Sequence, residues 1–122
     1  MSSPTNHQAY AKAKLLVEAI DRRDSSTLEQ NFGISSSVAD EIYEYIEDYF
    51  VKDTKISIAP EEKAFDLSIK GRPCIDVYET NEKAIGLECV LFADGAPGEA
   101  ILHLEVSEVN GMLMVYYKYI GF

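Results

Sequence analysis

Few side chains in this sequence could do chemistry: His7, His103, Cys74, Cys89 and the carboxylates crowded between Asp40 and Asp48. A general base needs an imidazole or carboxylate held within hydrogen-bond reach of the proton it takes. His7 follows the polar start of the chain, which predicts a solvated surface residue. His103 alternates with Leu102 and Leu104, so it projects from the polar side of a strand. There it could pair with Glu105 or a tyrosine if that side faced a cavity; an isolated strand histidine is otherwise simply exposed. Cys74 and Cys89 have no His or Cys at ligand-like spacing, so they form neither a zinc site nor a disulfide framework. Glu44, Glu47 and Asp48 cluster, but a calcium site needs roughly six to eight oxygens in a defined loop, and EF-hand spacing is absent. Gly95, Gly98 and the Asn110-Gly111 pair lack a phosphate-loop signature and read as turns. No catalytic residue, metal ligand or cofactor is assigned.

What remains is electrostatic. Lys and Arg number 11 against 21 Asp and Glu, giving a formal charge of −10 and a pI near 4.5. Nucleic acid is held chiefly through Lys and Arg, so it is a poor partner for this chain. Anionic membrane surfaces are disfavoured for the same reason. A basic protein partner would be attracted and steered. The plainer use of acidity is solubility.

The charge is concentrated. Asp40, Glu41, Glu44, Glu47 and Asp48 share one face of a predicted helix, and no Lys or Arg follows in sequence before Lys52. The like-charged pairs Asp40/Glu44, Glu41/Glu44, Glu44/Glu47 and Glu44/Asp48 cost roughly 0.3 kcal/mol each. Tyr43 sits among these acids, off the main apolar stripe, and tyrosine suits an interface. Asp40, Glu41, Tyr43, Glu44, Glu47 and Asp48 are therefore the candidate partner-binding residues, set against a merely solvated outer face. A second candidate surface is Met112, Met114 and Tyr116, opposite Leu113 and Val115, with His103 beside it as a candidate pocket residue. That side is either covered, paired in a homodimer, or open to a partner.

The elements that must position these groups follow from periodicity. Residues 1–6 read as a tail. Ala9, Ala13, Leu16, Val17 and Ile20 predict a helix over His7 to Asp21, with Arg22 and Arg23 near its C-terminus. Ser26 and Glu29 resemble a capping box for a short helix to about Asn31, ended by Gly33. Ser35 to Ser37 offer caps for the third helix, whose stripe is Val38, Ile42, Tyr45, Ile46 and Tyr49. Strands follow at Lys55 to Ile58, at Phe65 to Ile69, around Ile75 to Tyr78, at Ala84 to Ala93, Ala100 to Val109 and Met112 to Ile120. Turns are expected at Gly71 to Pro73, at Asp94 to Gly98 and at Asn110-Gly111. On the last strand, Leu113, Val115, Tyr117 and Tyr119 should share one face. The expected fold is a single α+β domain, two or three N-terminal helices packed on a curved antiparallel meander of four to six strands. With 47% hydrophobic residues it can build a core. No apolar run approaches the ~18 residues of a membrane span, and Met1 to Ala9 lacks the order of a secretion signal. A reducing, cytoplasmic setting with free thiols is the expectation.

Helices followed by a long-stranded meander resemble the cystatin-like and NTF2-like architectures. Glu47-Asp48-Tyr49, Pro60, Phe65-Asp66, Ile75-Asp76-Val77-Tyr78-Glu79 and the closing hairpin resemble an uncharacterised family of small bacterial domains, over residues 38 to 122. The departure is at the end, where members carry acidic residues and this chain has Tyr116-Tyr117-Lys118-Tyr119. That family pattern carries no catalytic residues. In size, charge and plainness the chain also resembles the immunity proteins that bacteria make against their own secreted toxins. This likeness implies a binder of a basic toxin domain, a nuclease above all, whose phosphate-holding groove is cationic. The NTF2-like likeness implies the alternative, an enzyme or small-ligand carrier with a pocket near His103.

Overall fold

The chain begins its first helix earlier than periodicity alone suggests. In the computed structural model, which describes residues 4–65, 73–81 and 84–121, α1 spans Asn6–Arg22. The Thr5 hydroxyl accepts from the Gln8 amide, and the Gln8 side chain accepts from the Thr5 amide. This capping box satisfies two amides that a fraying end would leave bare. Pro4 is buried, so residues 4–6 are not a tail. At the other end Arg23 turns left-handed, with φ of 54°.

The second helix, α2, spans Ser25–Phe32, and its cap is Asp24 rather than Ser26. Asp24 accepts from both the amide and the hydroxyl of Thr27. Those two bonds hold its carboxyl below the ordinary carboxylate value. Gly33 closes α2 at φ 64°, a conformation that suits glycine. The third helix, α3, spans Ser36–Tyr49 with Ser35 as its cap.

Helices give way to strands after a loop at 50–55. The elements are β1 (Ile56–Ser57), a single turn α4 (Glu61–Ala64), then β2 (Ile75–Asn81), β3 (Ala84–Ala93), β4 (Ala96–Val109) and β5 (Met112–Gly121). Among the described residues all pairings are antiparallel, in the order β1-β3-β4-β5, and β2 shares the edge of β3 with β1. The result is an α+β fold, helices packed against a curled meander. The expected strand at Phe65 to Ile69 and turn at Gly71 lie, beyond Phe65, outside the described residues.

Two sequence expectations for the sheet need correcting. The β3–β4 turn is only Asp94-Gly95, both at positive φ, and Ala96 already pairs with Ala93. Ala93 and Ala96 form the hydrogen-bonded pair that flanks the turn. Phe92 and Pro97 come next as a non-hydrogen-bonded pair, so the N–H that proline lacks would point away from β3. Proline and glycine here therefore continue the strand instead of breaking it. In β5, Leu104 pairs with Tyr117 while His103 pairs with Tyr119, leaving Lys118 as an extra residue. The bulge moves Tyr119 to the face opposite Tyr117 and returns Ile120 to the core.

The inner face is apolar throughout. Ile85, Leu87, Cys89 and Leu91 of β3 meet Ala100, Leu102, Leu104 and Val106 of β4 in one buried cluster with Leu16, Leu28 and Ile42 of the helices. No described polar or charged side chain is buried as a whole. The Tyr10 hydroxyl, at the edge of this cluster, donates to the Ala59 carbonyl at 2.7 Å and ties α1 to the loop before α4.

Both cysteines are free and buried. Burial pushes the Cys89 thiol up from its ordinary 9.0 to about 12, because a thiolate there would lose its hydration. In the folded chain Cys89 is expected to resist an aqueous disulfide reagent at pH 8, then react once denaturant exposes it; rapid labelling of the native protein would contradict that placement. The same shift sets a pH limb. The unfolded thiol ionises near pH 9 and the folded one only near 12, so the unfolded state binds fewer protons between them. Its stability contribution is complete below pH 9 and falls as pH rises through that window.

Candidate functional site

A helix turns about 100° per residue, and this fixes what α3 shows to solvent. Ala39 and Ile42 are buried, and Val38, Tyr43, Tyr45 and Ile46 are partly buried against the core. The inward stripe is thus rotated toward Ala39 and Tyr43 relative to the sequence expectation, and Tyr49 is 41% exposed. Glu44 and Asp48 form the pole facing away from the core, with Asp40 and Glu47 on the flank nearest α1. Glu41 is on the flank toward β5, where burial and, after it, the Glu41 charge raise the Tyr117 phenol. All five carboxylates are exposed.

The six candidate residues do not behave alike. Tyr43 lies between α3 and α2, its hydroxyl 2.9 Å from the Ser25 hydroxyl. The Arg23 guanidinium lies over the Tyr43 ring at 5.3 Å and also pairs with Glu47 at 2.7 Å. Arg23 makes both contacts from the left-handed position that closes α1. Two of the six residues are therefore engaged inside the fold, by a cation from the C-terminal end of α1 that the α3 sequence could not reveal. Asp40, Glu41, Glu44 and Asp48 make no ion pair with a described residue. They form an acidic surface without a counter-charge among the described residues.

Beside that surface lies a groove of about 660 Å³, between the C-terminal ends of α1 and α3 and the loop that leaves α3. Ile46 and Phe50 give it an apolar side, with Val51, 82% exposed, at its lip. Its charged lining is Asp21, Glu47 and Asp53 against Arg23 and Lys52. Asp21 is partly spent, accepting from the Ile56 amide at 2.7 Å and lying 3.4 Å from the Lys55 ammonium. Sequence reasoning passed over this groove. Its signals were an apolar Val51 before Lys52-Asp53, and a second arginine beyond the helix end.

The other candidate residues lie on the outer face of the sheet, away from the helices. Met112, Met114 and Tyr116 are exposed at 66%, 41% and 47%, and the bulge adds Tyr119. His103 also points outward, opposite Glu88 and Tyr119. Its ring stacks on Tyr119 with centroids 4.1 Å apart, and its Nε2 is covered without a hydrogen-bond partner. Glu105 does not serve it. Glu105 accepts from the Thr80 hydroxyl at 2.8 Å and pairs with Lys118 at 3.2 Å, which together hold it below the ordinary carboxylate value. The Tyr78 ring lies flat over Gly86, where a Cβ would fall 2.3 Å from it. A shallow depression beside Glu105, Tyr116 and Lys118 does not include His103.

His7 lies in the first turn of α1, exposed and paired with Glu61 of α4 at 2.5 Å. The described residues hold no group of three or more His, Cys, Asp or Glu arranged to take a metal ion. No described helix is long and apolar enough to cross a membrane. Comparison of the chain with protein-family models, with curated proteins and with solved structures found no match.

Proposed function

We propose that the chain is an inhibitor of the immunity-protein kind, which neutralises a basic toxin domain by covering its cationic groove with the acidic side of α3. A nuclease is the fitting target, because a groove built to hold phosphates carries the charge this surface complements. One observation carries the reading: Glu41, Glu44 and Asp48 stand exposed together on the solvent side of α3, while Arg23, the cation that reaches this helix among the described residues, is spent on Glu47. The repulsion among those exposed carboxylates gives the fold nothing in return, which supports a role outside the fold. His103 supports the enzyme alternative poorly. It points away from the helix side of the sheet, where the described residues form a buried apolar cluster.

Co-expression tests the proposal. Produced together with the product of the gene immediately upstream, the chain should restore growth and co-purify with that product through a high-resolution sizing column. Continued growth arrest, with both proteins soluble and separate, would contradict it.

A further inference from the structure

The groove beside α3 has a composition that selects its occupant. Two helix C-termini converge on it, and each carries partial negative charge. Glu47 and Asp53 add carboxylates, while Ile46 and Phe50 offer an apolar wall. A simple anion is repelled from such a place, and a plain hydrocarbon leaves the carboxylates bare. A side chain with an aliphatic stem and a cationic head satisfies both parts.

The molecule already holds one cation there. Arg23 sits 2.7 Å from Glu47 and over the Tyr43 ring at 5.3 Å, so a carboxylate-and-aromatic seat is formed in the free chain. Its side chain is about half exposed, at 47%, so solvent can take it up again when it leaves. We infer that the groove takes an arginine or lysine side chain from the basic protein partner, the stem against Ile46 and Phe50 and the charge in the seat Arg23 now fills. This rests on the proposed binding of a basic partner and adds where that partner is anchored. Lys52 is the remaining positive group in the lining; it lies on the exposed loop, where it can turn away to water.

The groove can be tested without the partner. n-Butylguanidinium, titrated into the full-length isotope-labelled chain, should shift the backbone amides of Ile20 to Arg23 and Ile46 to Asp53. Guanidinium, which lacks the stem, should shift them less at equal concentration. Glu47→Gln should abolish the shifts. Arg23→Ala should tighten probe binding by about three-fold relative to Arg22→Ala, which removes the same charge one residue away. Equal effects of the two arginine substitutions would overturn seat exchange, leaving only bulk charge. Shifts spread over the acidic surface, or absent from the groove, would overturn the site. Absent shifts would leave the α3 pole untouched, whereas failed rescue on co-expression with probe binding intact would count against the partner alone.

Discussion

A chain carrying Glu41→Lys, Glu44→Lys and Asp48→Lys together should bind its basic partner on the order of 100-fold more weakly. These three carboxylates are exposed on the solvent side of α3, so reversal replaces attraction by repulsion at the centre of the proposed contact. Glu47 is left alone because Arg23 depends on it. The same variant should fold as the wild type does. Asp40/Glu44 and Glu44/Glu47 turn from repulsive to attractive, while Glu41/Glu44 and Glu44/Asp48 stay like-charged with the sign inverted. Each such pair is worth only about 0.3 kcal/mol, and none of the three side chains is part of the buried cluster. Titration calorimetry gives the affinity and thermal denaturation gives the control. Full affinity in a folded variant would remove the α3 pole from the contact.

The second large effect concerns the scaffold that holds α3. Leu87→Ala should cost about 3 kcal/mol of stability, and with it roughly 10 °C of melting temperature. Leu87 is fully buried on the central strand β3, in register with Val77 of β2 and Leu104 of β4. Neighbours on both sides and helices above leave little room for the site to collapse around the lost methyl groups. Met112→Ala, on the outer face at 66% exposure, should change stability by less than about 0.5 kcal/mol. Chemical denaturation of both variants checks the assignment of faces. Equal losses would mean that β5 shows its methionines to the core.

Much of this architecture was legible because it depends on local rules. The caps at Ser35 and Gly33, the alternation on β3 and β4, and the Asn110-Gly111 turn each act over a few residues, and each stands where periodicity put it. The failures share a different character. Tyr119 changes face because a bulge inserts Lys118 against β4, and alternation counted along one strand cannot register an unpaired residue. The Asp94-to-Gly98 run looks like a long loop by composition. Whether Pro97 breaks a strand depends on which way its missing N–H points, and that is set by the partner strand. Thr5 and Gln8 form a capping box in a stretch that composition marks as a tail.

The candidate site divides the same way. That α3 carries an acidic face follows from spacing alone. That Glu47 and Tyr43 are held by Arg23 does not, because the contact joins separate helices through a left-handed residue. Arg23 reads in sequence as one more favourable charge at a helix end. In three dimensions it marks the boundary between carboxylates used by the fold and those left over.

The central claim is that those remaining carboxylates meet positive charge on another protein, and the ionic-strength dependence of association tests it most directly. Stopped-flow association with the co-purified partner, between about 0.02 and about 0.5 M salt, spans the range over which exposed charges become screened. The wild-type rate constant should fall steeply across that range, while that of the Glu41→Lys, Glu44→Lys, Asp48→Lys variant should start low and stay nearly flat. Parallel, equally steep lines for the two proteins would contradict the claim.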